Sequence, residues 1–119
     1  MISGLNLGAS VDYTLKSDKE NPTIWKLGVV PSNLFALITT GAQKKSAEVE
    51  GSFQLLQAGL KGWDNFGEVQ FVTEKQIMYG IEVDAVPMDL IGKIPLEAVI
   101  ELAGEVLNIN SQKESERKN

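Results

Sequence analysis

The chain contains neither cysteine nor histidine. Without cysteine there are no disulfides, no thiolate metal ligands and no thiol nucleophile, and folding needs no oxidising compartment. Without histidine, the commonest general base and the commonest neutral metal ligand are missing together. A metal site would have to rely on oxygen ligands, chiefly carboxylates. No stretch approaches the roughly 20 apolar residues that span a bilayer, and the first ten residues have neither a basic start nor a continuous apolar run of signal-peptide length. No membrane association is therefore expected, and the cytosol is the expected place of synthesis. Glycine-rich phosphate loops are lacking, since Gly59-Leu60-Lys61-Gly62 is not followed by Ser or Thr, and no Gly-x-Ser-x-Gly occurs. The expectation from these absences is a protein without catalysis and without a cofactor.

What remains is an ordinary globular mixture, 43% hydrophobic and 23% charged over 119 residues, enough for one core and too short for two. The net charge of −5 is uneven. Residues 1–60 carry five basic and five acidic side chains, residues 61–119 six basic and eleven acidic. Binding to a phosphate backbone needs clustered Lys and Arg, so no direct nucleic-acid contact is expected. Mimicry of DNA by the acidic half is weighed against a solvated helix face, which explains the same charges.

Residues 1–10 are rich in small residues, contain glycine and read as a flexible arm. Val11, Tyr13 and Leu15 then alternate with Asp12, Thr14 and Lys16, the period of a strand. Ser17–Pro22 reverses the chain, and Thr23–Val30 reads as the second strand of a hairpin, with Gly28 a candidate bulge. After Pro31, Ser32 and Asn33 suit the start of a short helix bearing Leu34, Phe35, Leu37 and Ile38. Between Lys45 and Trp63, apolar residues Val49, Phe53, Leu56, Leu60 and Trp63 recur at spacings of four and three, which predicts one helical face. Gly51 and Gly59 weaken that helix unless a neighbour approaches closely there.

Asp64–Gly67 reads as a turn. Val69, Phe71 and Thr73, then Ile77, Tyr79, Ile81 and Val83, predict one or two strands turning near Glu74-Lys75. A helical turn at Pro87–Ile91 precedes the clearest helix, which Pro95 opens at a position where its missing N–H costs nothing. Leu96, Val99, Ile100, Ala103, Val106 and Leu107 form its apolar stripe, and Glu97, Glu101 and Glu105 an acidic row. Residues 111–119 hold no apolar side chain and read as a polar tail. The predicted fold class is α+β: a small antiparallel hairpin or sheet packed against two main helices over residues 11–110.

Few residues stand out as site candidates. Glu82 and Asp84 share a strand face and are the nearest approach to a hard-cation site, but alternating charge on a half-exposed strand accounts for them. Trp25, Trp63 and Phe66 are either core residues or anchors for a partner. Leu96, Ile100 and Leu107 are candidates for the same role if the helix exposes part of its stripe, and self-association into a homo-oligomer is one form that contact takes.

Two blocks carry a resemblance. Asp18-Lys19-Glu20-Asn21-Pro22-Thr23-Ile24-Trp25-Lys26-Leu27-Gly28 is similar to the opening of small proteins encoded in the structural gene clusters of tailed bacteriophages, and Gly59-Leu60-Lys61-Gly62-Trp63-Asp64-Asn65-Phe66 is similar in the same sense. The chain resembles the phage tail assembly chaperone group and neighbouring small virion proteins. The resemblance implies partners among phage structural proteins (tape measure, tail tube or capsid and neck proteins), in the host cytoplasm during assembly or in the virion. The competing expectation is a phage-encoded acidic inhibitor or regulator of a host protein complex.

Overall fold

In the computed structural model, which describes residues 4–42 and 48–117, Ser10–Tyr13 (β1) and Ile24–Gly28 (β2) form the expected antiparallel hairpin. Leu60–Asp64 (β3) pairs antiparallel on the far side of β2, so β2 is central in a three-stranded sheet. It earns that place by composition, because Trp25 and Leu27 on its inner face are both fully buried. Lys26 points the other way and meets Asp12 of β1 at 3.3 Å and Asp64 of β3 at 3.5 Å. This exposed charge triplet fixes register more than it stabilises.

Ser32–Ala42 (α1) and Glu48–Gly59 (α2) lie between β2 and β3 in sequence. Glu74–Met78 (β4) and Ile81–Ala85 (β5) form a separate hairpin, followed by the short helix Met88–Ile91 (α3) and the long helix Leu96–Arg117 (α4). The fold class is α+β as expected, with four helices and two antiparallel sheets among the described residues. The second sheet and the extra helices enlarge the predicted hairpin with two main helices. The backbone of α4 continues as helix to Arg117, into the stretch read as a polar tail.

Five local expectations are corrected. The helix predicted through Trp63 ends at Gly59, and Leu60 to Asp64 turn directly into β3. Completing the sheet gives Trp63 an aromatic neighbour in Trp25, its register partner on β2, and Val49, the first residue of the predicted stripe, is left half exposed. Gly59 itself faces α4: a Cβ there would stand 2.6 Å from Val106 Cγ1 and 2.9 Å from Cγ2, so only glycine allows the two helices this close. Second, the bulge is not at Gly28. The ladder slips between Lys26↔Gly62 and Leu27↔Leu60, which leaves Lys61 as the extra residue of β3, while Gly28 is where the Ala9 carbonyl crosses the sheet edge.

Third, the loop between β1 and β2 spans residues 14–23 rather than about six residues, because the chain leaving β1 is tied to α4 before it turns back. The Tyr13 hydroxyl and the Lys16 N–H both donate to Glu101 of that helix. Fourth, Val69, Phe71 and Thr73 are not in a strand. The Val69 carbonyl accepts from Trp63 Nε1 at 2.8 Å instead of from a strand neighbour. Fifth, the second hairpin turns at Tyr79-Gly80, not at Glu74-Lys75. Both turn residues have positive φ, 53° and 80°, the conformation a two-residue hairpin loop needs to match strand twist.

The core lies between α4, α2 and the three-stranded sheet. Ala98, Val99, Leu102, Ala103 and Val106 supply the α4 side, Leu55 and Leu56 the α2 side, and Leu34 and Ile38 the contribution of α1. Asn110 closes the far end of this core. Its Oδ1 accepts from the Val30 N–H at 3.0 Å, and its Nδ2 donates to Val106 O at 2.8 Å and reaches Gly28 O at 3.5 Å. A side chain of α4 thus supplies the hydrogen bonds that the end of β2 lacks.

Candidate functional site

The six residues singled out from the sequence fall into two groups. Trp25, Trp63 and Phe66 form one cluster with Phe71. The Trp25 and Trp63 rings meet edge-on at 5.9 Å, Phe66 lies 4.9 Å from Trp25 and 5.2 Å from Trp63, and Phe71 stands perpendicular to Trp63 at 4.9 Å. Trp25 is 2% exposed and Trp63 9%, so both are taken up in packing, with Phe66 half-buried over them. Trp25 Nε1 is buried without an acceptor among the described residues, so this ring stabilises through its volume and not through its N–H.

Leu96, Ile100 and Leu107 behave oppositely: they are 52%, 49% and 40% exposed on α4. At about 100° per residue, spacings of four and seven bring all three within about 40° around the helix. They form an apolar row beside the buried arc. The six-residue stripe read from the sequence is wider than α2 and the sheet can cover, and it splits into Val99, Ala103 and Val106, which are buried, and this outer row. Ala98 and Leu102, absent from the stripe, carry the buried arc further around the helix; their i, i+4 spacing was the available signal.

The acidic row of α4 is divided in the same way. Glu97 is exposed next to the apolar row, whereas Glu101 holds Tyr13 at 2.6 Å and the Lys16 N–H at 3.0 Å. The hydrogen bond to Glu101, and then burial, push the Tyr13 hydroxyl up to about 12. In return, the Tyr13 hydrogen bond and the Lys16 N–H hold the Glu101 carboxyl below the usual carboxylate range.

A second apolar surface was not foreseen. The tip of the β4–β5 hairpin and α3 expose Ile77, Tyr79 and Met88 around a groove of about 360 Å³ floored by Gln54 and Gln57 of α2. Tyr79 donates to Gln54 Oε1 at 3.0 Å. Below it, Gln57 Nε2 donates to Val86 O at 2.9 Å while the Val86 N–H donates to Gln57 O, so one buried residue pins the hairpin to α2. The sequence signal was Tyr79-Gly80, a turn pair hidden inside a run of alternating apolar residues.

Glu82 and Asp84 are both exposed on β5, and Asp84 is ion-paired to Lys75 at 3.0 Å. No group of three metal-ligating side chains occurs among the described residues, and no helix among them is long and apolar enough to cross a membrane. No protein-family model, no curated protein and no solved structure matches the chain.

Proposed function

We infer that the chain is a non-catalytic protein-interaction module whose contact surface is the outer face of α4, and that its partners are structural proteins of a tailed bacteriophage during particle assembly. The observation that supports the contact is the exposed row Leu96, Ile100 and Leu107 on a helix whose adjoining arc is fixed in the core. Burying three half-exposed side chains is worth roughly 1 kcal/mol each, or about two decades in Kd when the partner is shaped to fit. Glu97 beside the row favours a partner with a basic shoulder. The phage assignment rests on the resemblance of residues 18–28 and 59–66.

The test is Ile100→Glu combined with Leu107→Glu, carried in the phage genome and in purified protein. Unchanged circular dichroism, loss of co-purifying phage structural proteins and a fall in particle yield are the expected results. Normal yield with unchanged co-purification sinks the reading. Recovery of a host complex in place of phage proteins would favour the inhibitor alternative. Mass spectrometry of purified particles then separates an assembly chaperone, absent from them, from a structural component at stoichiometric copy number.

A further inference from the structure

The bulge at Lys61 re-aims one side chain away from the regular alternation of β3. Its stem lies against the backbone of Gly28, where a Cβ would come within 3.0 Å of Lys61 Cγ and 3.1 Å of Cε, and its Nζ donates to the Ala58 carbonyl at 3.2 Å. Lys61 lines a pocket of about 260 Å³ together with the apolar residues Leu7, Pro31, Leu60, Phe71 and Val83. Among its polar lining, Asp84 already has a partner in Lys75.

We propose that Lys61 is a carbonyl-capture site, at which this pocket takes up an aliphatic aldehyde and the amine binds it covalently as an imine. A bulged strand, a glycine gap and a carbonyl anchor hold one amine at a fixed place, and the apolar walls offer contact to an aliphatic chain. Burial pushes the Lys61 ammonium below the usual lysine range, and the opposing pull of Asp84 is the weaker influence. A lysine lowered in this way has a larger share of its nucleophilic free amine than an ordinary surface lysine. The nitrogen lone pair attacks the aldehyde carbon, a proton passes from nitrogen to oxygen to give the carbinolamine, and loss of water leaves the C=N bond. Amine and aldehyde become imine and water, with no oxidant or reductant. This inference is independent of the surface on α4.

The experiment treats the full chain with limiting hexanal and sodium cyanoborohydride near neutral pH, which reduces any imine to a stable hexyl-lysine, followed by peptide mapping. The expected result is a first adduct at Lys61 exceeding the sum of all other lysines, although Lys75 and Lys93 are more exposed. Acetaldehyde, too short to use the walls, is expected to lose this preference, and so is hexanal in concentrated urea. Lys61→Arg, which keeps the charge, removes the early adduct. Adducts spread according to exposure, with Lys61 lagging, overturn the proposal. So does a preference that survives in urea, since it would then come from the local sequence and not from the pocket.

Discussion

Replacing Gly59 by alanine tests the packing of α2 on α4. In most exposed helix interiors glycine to alanine stabilises, by up to about 1 kcal/mol. Here the new methyl would stand 2.6, 2.9 and 3.3 Å from Val106 Cγ1, Cγ2 and Cβ, whereas carbon atoms rest at roughly 3.5–4.0 Å. Relief needs a separation of about 1 Å, and Val106 is fully buried with both methyls in the way. Overpacking of this kind costs about 1–3 kcal/mol, and the propensity gain is small at the last residue of a helix. The expected net loss is about 1–2 kcal/mol, which lowers the urea midpoint by roughly 0.5–1 M for a domain of this size. The deciding measurement is the double-mutant cycle with Val106→Ala. That change alone removes two buried methyls, yet together with Gly59→Ala the new methyl occupies the vacated space. The double variant should therefore be more stable than the sum of the singles by at least about 1 kcal/mol. A neutral or stabilising Gly59→Ala, or additivity within about 0.5 kcal/mol, refutes the close approach.

Three further outcomes follow from the same geometry. Asn110→Leu leaves the buried Val30 N–H without its acceptor and should cost about 1–3 kcal/mol, read as a lowered melting temperature. Spectrophotometric titration should show one tyrosine ionising near 12, and Glu101→Gln should return it toward 10. Because that hydroxyl is raised, its contribution to stability is complete below the unfolded value and lost as pH climbs toward 12. The contribution of Glu101, whose carboxyl is lowered, is complete above its unfolded value and lost on acidification through the folded one. Gly80→Ala forces a side chain to φ 80° in the tight turn and should destabilise by about 1 kcal/mol, measured by denaturant unfolding.

How much could be read from the residues depended on whether local pattern and tertiary contact agreed. The first hairpin and α4 were legible because their periods matched the surfaces they bury. β3 was not, because Leu60 and Trp63 continue the four-and-three spacing of α2. Only the sheet edge left open by β2, and the pressure of Val106 on Gly59, decide that the helix stops. The second hairpin was displaced because Ile77, Tyr79 and Ile81 alternate straight through their own turn, and positive φ at Tyr79 leaves no mark in composition. Leu96, Ile100 and Leu107 were legible as members of a stripe, but their exposure was not, since the width of the covered face is set by α2 and the sheet. Lys61 gave no signal at all, because a bulge is a property of the pairing and not of one strand.

The bond from the Val30 N–H to Asn110 spans 80 residues of chain, and that from Tyr13 to Glu101 spans 88. The first hairpin and the segment that follows it, although early in the sequence, therefore cannot finish their hydrogen bonding until α4 has arrived. Contacts of such long range slow folding. A chain cut before residue 101 should remain a loose collapsed species rather than a smaller folded one. One cut after residue 111 keeps both ties, and with them the cooperative unit.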